Sequence, residues 1–297
     1  MRALTILFFP LLAAGAQSAL AAVYSGVVNS DGWRVDASPF ECRMVSPIPF
    51  YGNAVFESTA GVATTEFRID TKPGRIAPGQ MVMAALAPVW QPGIGTADLG
   101  QVPVEDGSNP IQLDVSATET LLSQLYAGRE IVIRREQDAG VLLPITTVGF
   151  RSAYKDYLGC VAHMLPANFD QIKRTAIYFE MGEFEELPDG EIDKLNQILL
   201  YAQADPYLAE LYIDGHTDSL GTREENLKIS EVRARLVTDY LVKRGLPEDR
   251  VVIRWHGERY PVGNNDITDG RAKNRRVTIR LERVEPVKIP SLTASAQ

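Results

Sequence analysis

The sequence predicts two domains of different fold class, a mostly β barrel or sandwich followed by an α+β sandwich. Three observations predict this. Short stretches of the first half alternate apolar and polar residues with period two, whereas beyond Cys160 strand-like and helix-like patterns take turns. Turn signals punctuate the first half at Pro73–Gly74, Pro78–Gly79, Pro92–Gly93 and Asp106–Gly107–Ser108. The chain has 297 residues, 45% of them hydrophobic, which is material for two ordinary domains of about 100 to 150 residues each.

The elements follow in chain order. Val55–Glu57, Thr65–Asp70, Ile111–Leu113–Val115 and Ile131–Ile133 read as half-buried strands, with one short helix near Glu119 to Tyr126. After Cys160, Ala176–Phe179 is a strand candidate. Ile192, Leu195, Leu199 and Ala202 then recur at helical spacing behind Pro188 and Asp189, residues that helix entries favour. Leu211–Ile213 gives a second strand. A longer helix covers Arg223 to Arg244, with Leu227, Ala234, Val237 and Leu241 on one face, and Gly245 and Pro247 end it. Val251–Ile253 and Val277–Leu281 supply two more strands, and helices packed on one face of that sheet make an α+β sandwich. The stretch 284–297 has neither periodicity nor bulk and is expected to be a disordered tail.

Residues 1–21 carry the marks of a secretory signal peptide: Arg2, an apolar run from Ala3 to Ala14, and Ala19–Leu20–Ala21 as a small-residue cleavage site. The alternative, a membrane anchor, is poorly served because that run falls short of the roughly 20 residues a span needs. Loss of Arg2 takes the formal net charge from −8 to −9, an acidic balance that argues against nucleic-acid or anionic-membrane partners. The only cysteines, Cys42 and Cys160, would reach a compartment where disulfides persist, so a Cys42–Cys160 bond is expected; two separate buried thiols are the alternative.

The chemistry concentrates in Gly215-His216-Thr217-Asp218-Ser219-x-Gly221, leaving the second strand, and in Asn226-Leu227-x-x-Ser230-x-x-Arg233-Ala234 on the long helix. With Gly245, Gly257, Tyr260–Pro261, Gly270–Arg271 and Asn274-Arg275-Arg276-Val277, this set resembles the OmpA-like peptidoglycan-binding domain from about Ala176 to Glu282. The resemblance implies that Asp218 and Arg233 hold the free end of diaminopimelate in the wall's stem peptide. That end carries an ammonium, which Asp218 can accept from, and a carboxylate, onto which a guanidinium can fork. It also implies that Thr217, Asn226, Leu227 and Arg276 belong to the pocket. Glu225 departs from the family, which usually has an aromatic residue there. Taken singly, Asp218 could cap a turn, Arg233 pair with Glu231 or Glu282, and Arg276 lie solvated on a strand. A metal or catalytic site from His216, Asp218 and His256 is the rival chemistry, but no nucleophile–base spacing accompanies it. No catalytic activity, cofactor or metal is therefore expected.

In the first half, Trp33, Glu41–Cys42, Ile48–Pro49, Tyr51–Gly52 and Ala54–Val55–Phe56 resemble the start of the MotY family of polar flagellar motors. Cys160, Leu165–Pro166 and Leu246-Pro247-Glu248-Asp249-Arg250 extend the likeness. This resemblance implies a subunit of the periplasmic T ring, bound to the flagellar basal body and to MotX through residues 22–165, anchored to peptidoglycan through residues 166–283, and supporting stator units. Strands this short and polar exclude an outer-membrane porin barrel. A general envelope protein that tethers the wall without a motor remains the alternative. The two halves have independent hydrophobic patterns and meet near Cys160 to Asp170, so they are expected to be separable.

Overall fold

The computed structural model describes residues 32–88, 95–135 and 141–284. The expected signal peptide, the expected turn at Pro92–Gly93 and the expected tail beyond Val284 lie outside the described residues.

The first half folds as a sandwich of two antiparallel sheets. One sheet runs in the order β1 (Arg34–Ala37), β2 (Glu41–Ile48), β3 (Gly52–Thr59), β4 (Thr65–Asp70) and β7 (Ile111–Leu113). The other runs β6 (Ala97–Val104), β5 (Gly79–Leu86), β8 (Glu130–Arg134) and β9 (Leu142–Ile145). Alternate residues of each strand face inward, so Met44, Phe56, Phe67 and Ile69 meet Met81, Met83, Ile131 and Ile133 in one apolar core. Two helices close it. The first, α1 (Val115–Tyr126), is capped by the Asp114 carboxylate accepting from the Ala117 amide, and it buries Leu121 and Leu125. The second, α2 (Phe150–Val161), buries Phe150, Ala153 and Tyr157, and the Tyr157 hydroxyl lies 2.6 Å from that of Ser58 on β3.

The expected strands reappear here as β3, β4, β7 and β8, and the expected short helix as α1, which starts earlier, at Val115. The sequence reading missed α2 and five strands. β5 reads Gly-Gln-Met-Val-Met-Ala-Ala-Leu, apolar on both faces, so the alternation that marks a half-buried strand is absent. Cys42 and Cys160 form the expected disulfide, tying β2 to α2 across 118 residues.

The second half is a four-stranded sheet in the order β10 (Arg174–Tyr178), β13 (Arg276–Arg283), β11 (Leu208–Gly215) and β12 (Val251–Trp255). β11 and β12 are parallel, joined by the crossover helix α5 (Arg223–Lys243); the other pairs are antiparallel. α5 and α4 (Ile192–Ala204) supply Leu195, Ile198, Ala234, Val237 and Leu241 to a second core with Ile177, Leu211, Ile213, Val277, Ile279 and Leu281. Two short helices complete the domain, α3 (Phe169–Ile172) before β10 and α6 (Thr268–Asn274) before β13. Gly215, the last residue of β11, permits the sheet to approach α5: a Cβ there would come within 2.0 Å of the Ser230 carbonyl oxygen.

Candidate functional site

The candidate site forms where β11, α5 and the start of β13 converge. β11 ends at Gly215, and the chain then turns through His216 to Gly221 before α5 begins. Thr222 starts α5 with a capping box: its hydroxyl accepts from the Glu225 amide, and the Glu225 carboxylate accepts from the Thr222 amide at 2.9 Å. Glu225, the departure from the resembled family, thus has a local task, and those hydrogen bonds lower its carboxyl's pKa below the usual range. Eleven residues on from Thr222, α5 carries Arg233 inward.

Period two decides which arginine of the Arg275–Arg276 pair joins it. Val277, Ile279 and Leu281 point to the helices, so Arg275 lies on that side and Arg276 on the other, with Thr278 and Arg280. The structure follows this rule. Arg275 Nη1 donates to Asp218 Oδ2 at 3.0 Å, and both side chains are only 9% exposed. Arg275 Nε donates to the Phe179 carbonyl at 3.1 Å, while Asp218 Oδ1 accepts from the Leu220 amide at 3.1 Å. The alternative considered for Asp218, capping a turn, thus holds alongside its ion pair.

Arg233 is held by main chain. Its Nε and Nη2 donate to the Glu183 carbonyl at 2.9 and 2.7 Å, and its guanidinium lies 4.9 Å from the Phe179 ring centroid. The fork is therefore engaged with Glu183, and Nη1 is the amino group left for an occupant. Burial first, then the charge of Arg275, bring the Arg233 pKa down to about 10, with Asp218 and Glu183 opposing the fall. Arg233 stays charged at neutral pH.

Thr217, Asp218, Asn226, Arg233 and Arg275 line one open pocket of about 170 Å³, walled on its apolar side by Met181, Phe184 and Ile229. Thr217 is buried, and its hydroxyl has no hydrogen-bond partner. Asn226 Nδ2 donates to Glu258 at 2.8 Å. Two guanidinium groups facing one carboxylate give the pocket a net positive charge, suited to a carboxylate that arrives with a neighbouring ammonium for Asp218.

Leu227 and Arg276 do not line this pocket. Leu227 is exposed, and Arg276 lies on the reverse face, where Nη2 donates to the Tyr260 carbonyl at 3.2 Å. Burial lowers the Arg276 pKa, and its Nη1 has no partner. The same face holds His216 and His256, stacked at 5.1 Å, with His256 Nε2 3.0 Å from Asp214. Burial first, then Arg276 and His256, push the His216 pKa down to about 4. Asp218 faces away from these rings toward Arg275, and among the described residues no cluster of three or more His, Cys, Asp or Glu side chains converges as a metal site.

A larger groove of about 500 Å³ runs beside β4 and β7 in the first domain. Its polar lining is engaged locally: Arg68 binds Glu57 and Asp70, Asn109 donates to Asp70, and Asp114 caps α1. Size alone does not make it the site. No helix among the described residues is long and apolar enough to cross a membrane.

The fold and pocket define the class first: residues 178–275 match the OmpA family, carried behind a β-sandwich domain. Residues 24–166 match the MotY N-terminal domain. The chain thus carries a MotY N-terminal domain followed by an OmpA-family domain. It is 27% identical to the sodium-type flagellar protein MotY of Vibrio parahaemolyticus over 93% of this chain and 95% of that one. It is 36% identical to outer membrane protein A of Bordetella avium over 35% of this chain, spanning about half of that protein, 53%. Among solved structures it is similar to the peptidoglycan-associated lipoprotein of Burkholderia pseudomallei, with 26% identity, 36% of this chain and 89% of that one covered, and a TM-score of 0.34.

Proposed function

We propose that this protein is a non-catalytic periplasmic component of a flagellar motor. Its second domain grips peptidoglycan, and its first binds the basal body and MotX in a T ring that supports stator units. The observation that carries the wall contact is the desolvated Asp218–Arg275 pair beside Arg233, opening on one pocket. The free end of diaminopimelate presents a carboxylate and an ammonium on one carbon. Arg233 Nη1 and Arg275 receive the first, Asp218 accepts from the second, and the unpartnered Thr217 hydroxyl supplies one more polar contact. The motor assignment draws support from the Vibrio parahaemolyticus relative, whose likeness runs through both domains.

Two experiments test the two parts. Purified protein should sediment with diaminopimelate-type peptidoglycan, free diaminopimelate should compete, and cadaverine, the same diamine without its carboxylates, should not. A deletion strain should build flagella that do not turn, and the protein should co-purify with basal bodies. Cadaverine competing as well as diaminopimelate would refute the pocket chemistry; normal swimming by the deletion strain would refute the motor role.

A further inference from the structure

We infer that the junction between the two domains is a load-bearing joint that makes them unfold and move as one body. Four contacts build it. Phe40, in the turn before β2 of the first domain, packs on the second domain's core, its ring centroid 5.3 Å from that of Tyr201 on α4. The Leu165 amide donates to the Pro39 carbonyl at 2.9 Å. Asn168 Nδ2 donates to the Ala60 carbonyl at 3.1 Å, and Gln171 Nε2 donates to the Gly61 carbonyl at 2.9 Å. Phe169 continues the aromatic contact to Tyr201 at 5.9 Å and takes the Arg283 guanidinium at 5.1 Å.

The two amide side chains each work in both directions. Asn168 and Gln171 form the capping box of α3, Oδ1 and Oε1 accepting from each other's backbone amides, while their NH₂ groups reach across to the first domain. Gly61 is fitted to this contact: its φ is +71°, and a Cβ there would come within 2.8 Å of the Ala167 Cα. The Cys42–Cys160 disulfide starts on β2, two residues after Phe40, and joins α2, the helix that leads into the junction. It therefore pins the connecting segment beside the Phe40 contact. A hinge between independent domains would leave these groups to water; here they are matched across the boundary.

The joint stands on these contacts alone, whereas its load rests on the proposed motor role. The test uses the full mature chain with its disulfide intact and two variants chosen to leave both cores folded. Asn168→Asp/Gln171→Glu keeps every capping acceptor and removes both cross-domain donors, turning carboxylates toward the Ala60 and Gly61 carbonyls. Phe40→Ala removes the ring from the other side. The wild-type protein should melt in a single calorimetric transition, and each variant in two. The Leu165 amide should exchange with deuterium about tenfold faster or more in the variants, while the Phe56 and Ile213 amides keep their protection. Two separate transitions in the wild type, or unchanged exchange at Leu165, would overturn the joint. Peptidoglycan sedimentation should survive in both variants, since Asp218 and Arg233 are untouched, which separates this result from a failure of the pocket. Swimming in viscous medium should be lost; normal swimming by a variant with uncoupled melting would overturn the load.

Discussion

Asp218→Ala is the substitution whose cost the structure fixes best. Asp218 and Arg275 are 3.0 Å apart with 9% of each side chain exposed, so the substitution leaves a buried guanidinium without its counter-charge. Breaking such a pair costs about 3 to 5 kcal/mol of stability, and loss of a charged ligand contact costs about 2 to 5 kcal/mol of binding, at least thirtyfold in affinity. The single variant therefore confounds unfolding with lost recognition. A cycle separates them: Asp218→Ala, Arg275→Met, and both together. The double variant removes the stranded Arg275 charge together with its repulsion of Arg233, so it should recover most of the lost stability in a thermal melt and still fail to sediment with peptidoglycan. If it sediments like the wild type, the pair is structural and the ligand lies elsewhere. If Asp218→Ala alone melts and sediments like the wild type, the assignment of a desolvated pair is itself wrong.

Arg233→Lys should lower wall binding more than tenfold, because an ammonium cannot hold the Glu183 carbonyl through two donors and keep a third group for the ligand; sedimentation with titrated peptidoglycan measures this. Stability should fall between pH 7 and pH 5. With its pKa lowered from 6.5 to about 4, His216 stays neutral in the folded protein while the unfolded chain takes up a proton, so about 2 kcal/mol is lost by pH 5, and the loss is complete below pH 4. Denaturant titrations of the wild type and His216→Asn at both pH values check this, and equal slopes with pH would refute it. Cys42→Ser or Cys160→Ser should remove about 2 to 4 kcal/mol, within a chain-entropy ceiling of about 4.7 kcal/mol for a loop of this size, seen as a lower denaturation midpoint.

The second domain was legible because its signals are local and redundant. α5 announces itself through Leu227, Ala234, Val237 and Leu241 at helical spacing and through Gly245 as its stop; of that stripe Leu227 is exposed, and the Thr222–Glu225 capping box went unread. Of the candidate pocket's lining, Asp218 and Arg233 were legible, and Arg275 could have been found by running the alternation of Val277, Ile279 and Leu281 back by one step. Motif matching instead favoured its neighbour Arg276, which that alternation sends to the reverse face. The first domain was harder. β5 and β2 have apolar residues on both faces, and α2 contains Gly159 and several polar residues that blur its apolar stripe. Tyr157 is buried with its hydroxyl against that of Ser58, a partner 99 residues earlier that no local pattern reveals. Contacts between domains leave no trace in local pattern at all: the amides of Asn168 and Gln171 answer main-chain carbonyls 108 and 110 residues away, which any residue could supply.

On the proposed function, the size of the pocket bears on how such an anchor holds. A volume of about 170 Å³ admits only the end of a stem peptide. Small ligands bind at no more than about 1.5 kcal/mol per non-hydrogen atom, and part of the gain here is offset because Asp218, Arg233 and Arg275 already have internal partners. One pocket is therefore a modest grip, and its strength must come from elsewhere. Preorganisation supplies some: Arg233 holds the Glu183 carbonyl, Arg275 holds the Phe179 carbonyl, and Asp218 accepts from the Leu220 amide, so the segments that line the pocket are fixed before any ligand arrives. Multiplicity supplies the rest. Copies arranged on a ring facing a continuous wall rebind before all have let go, and the combined grip can exceed that of a single pocket by two to four orders of magnitude, roughly, if the spacing lets several engage at once. That condition demands a fixed orientation of each pocket relative to the ring, which a flexible link between the two domains would forfeit.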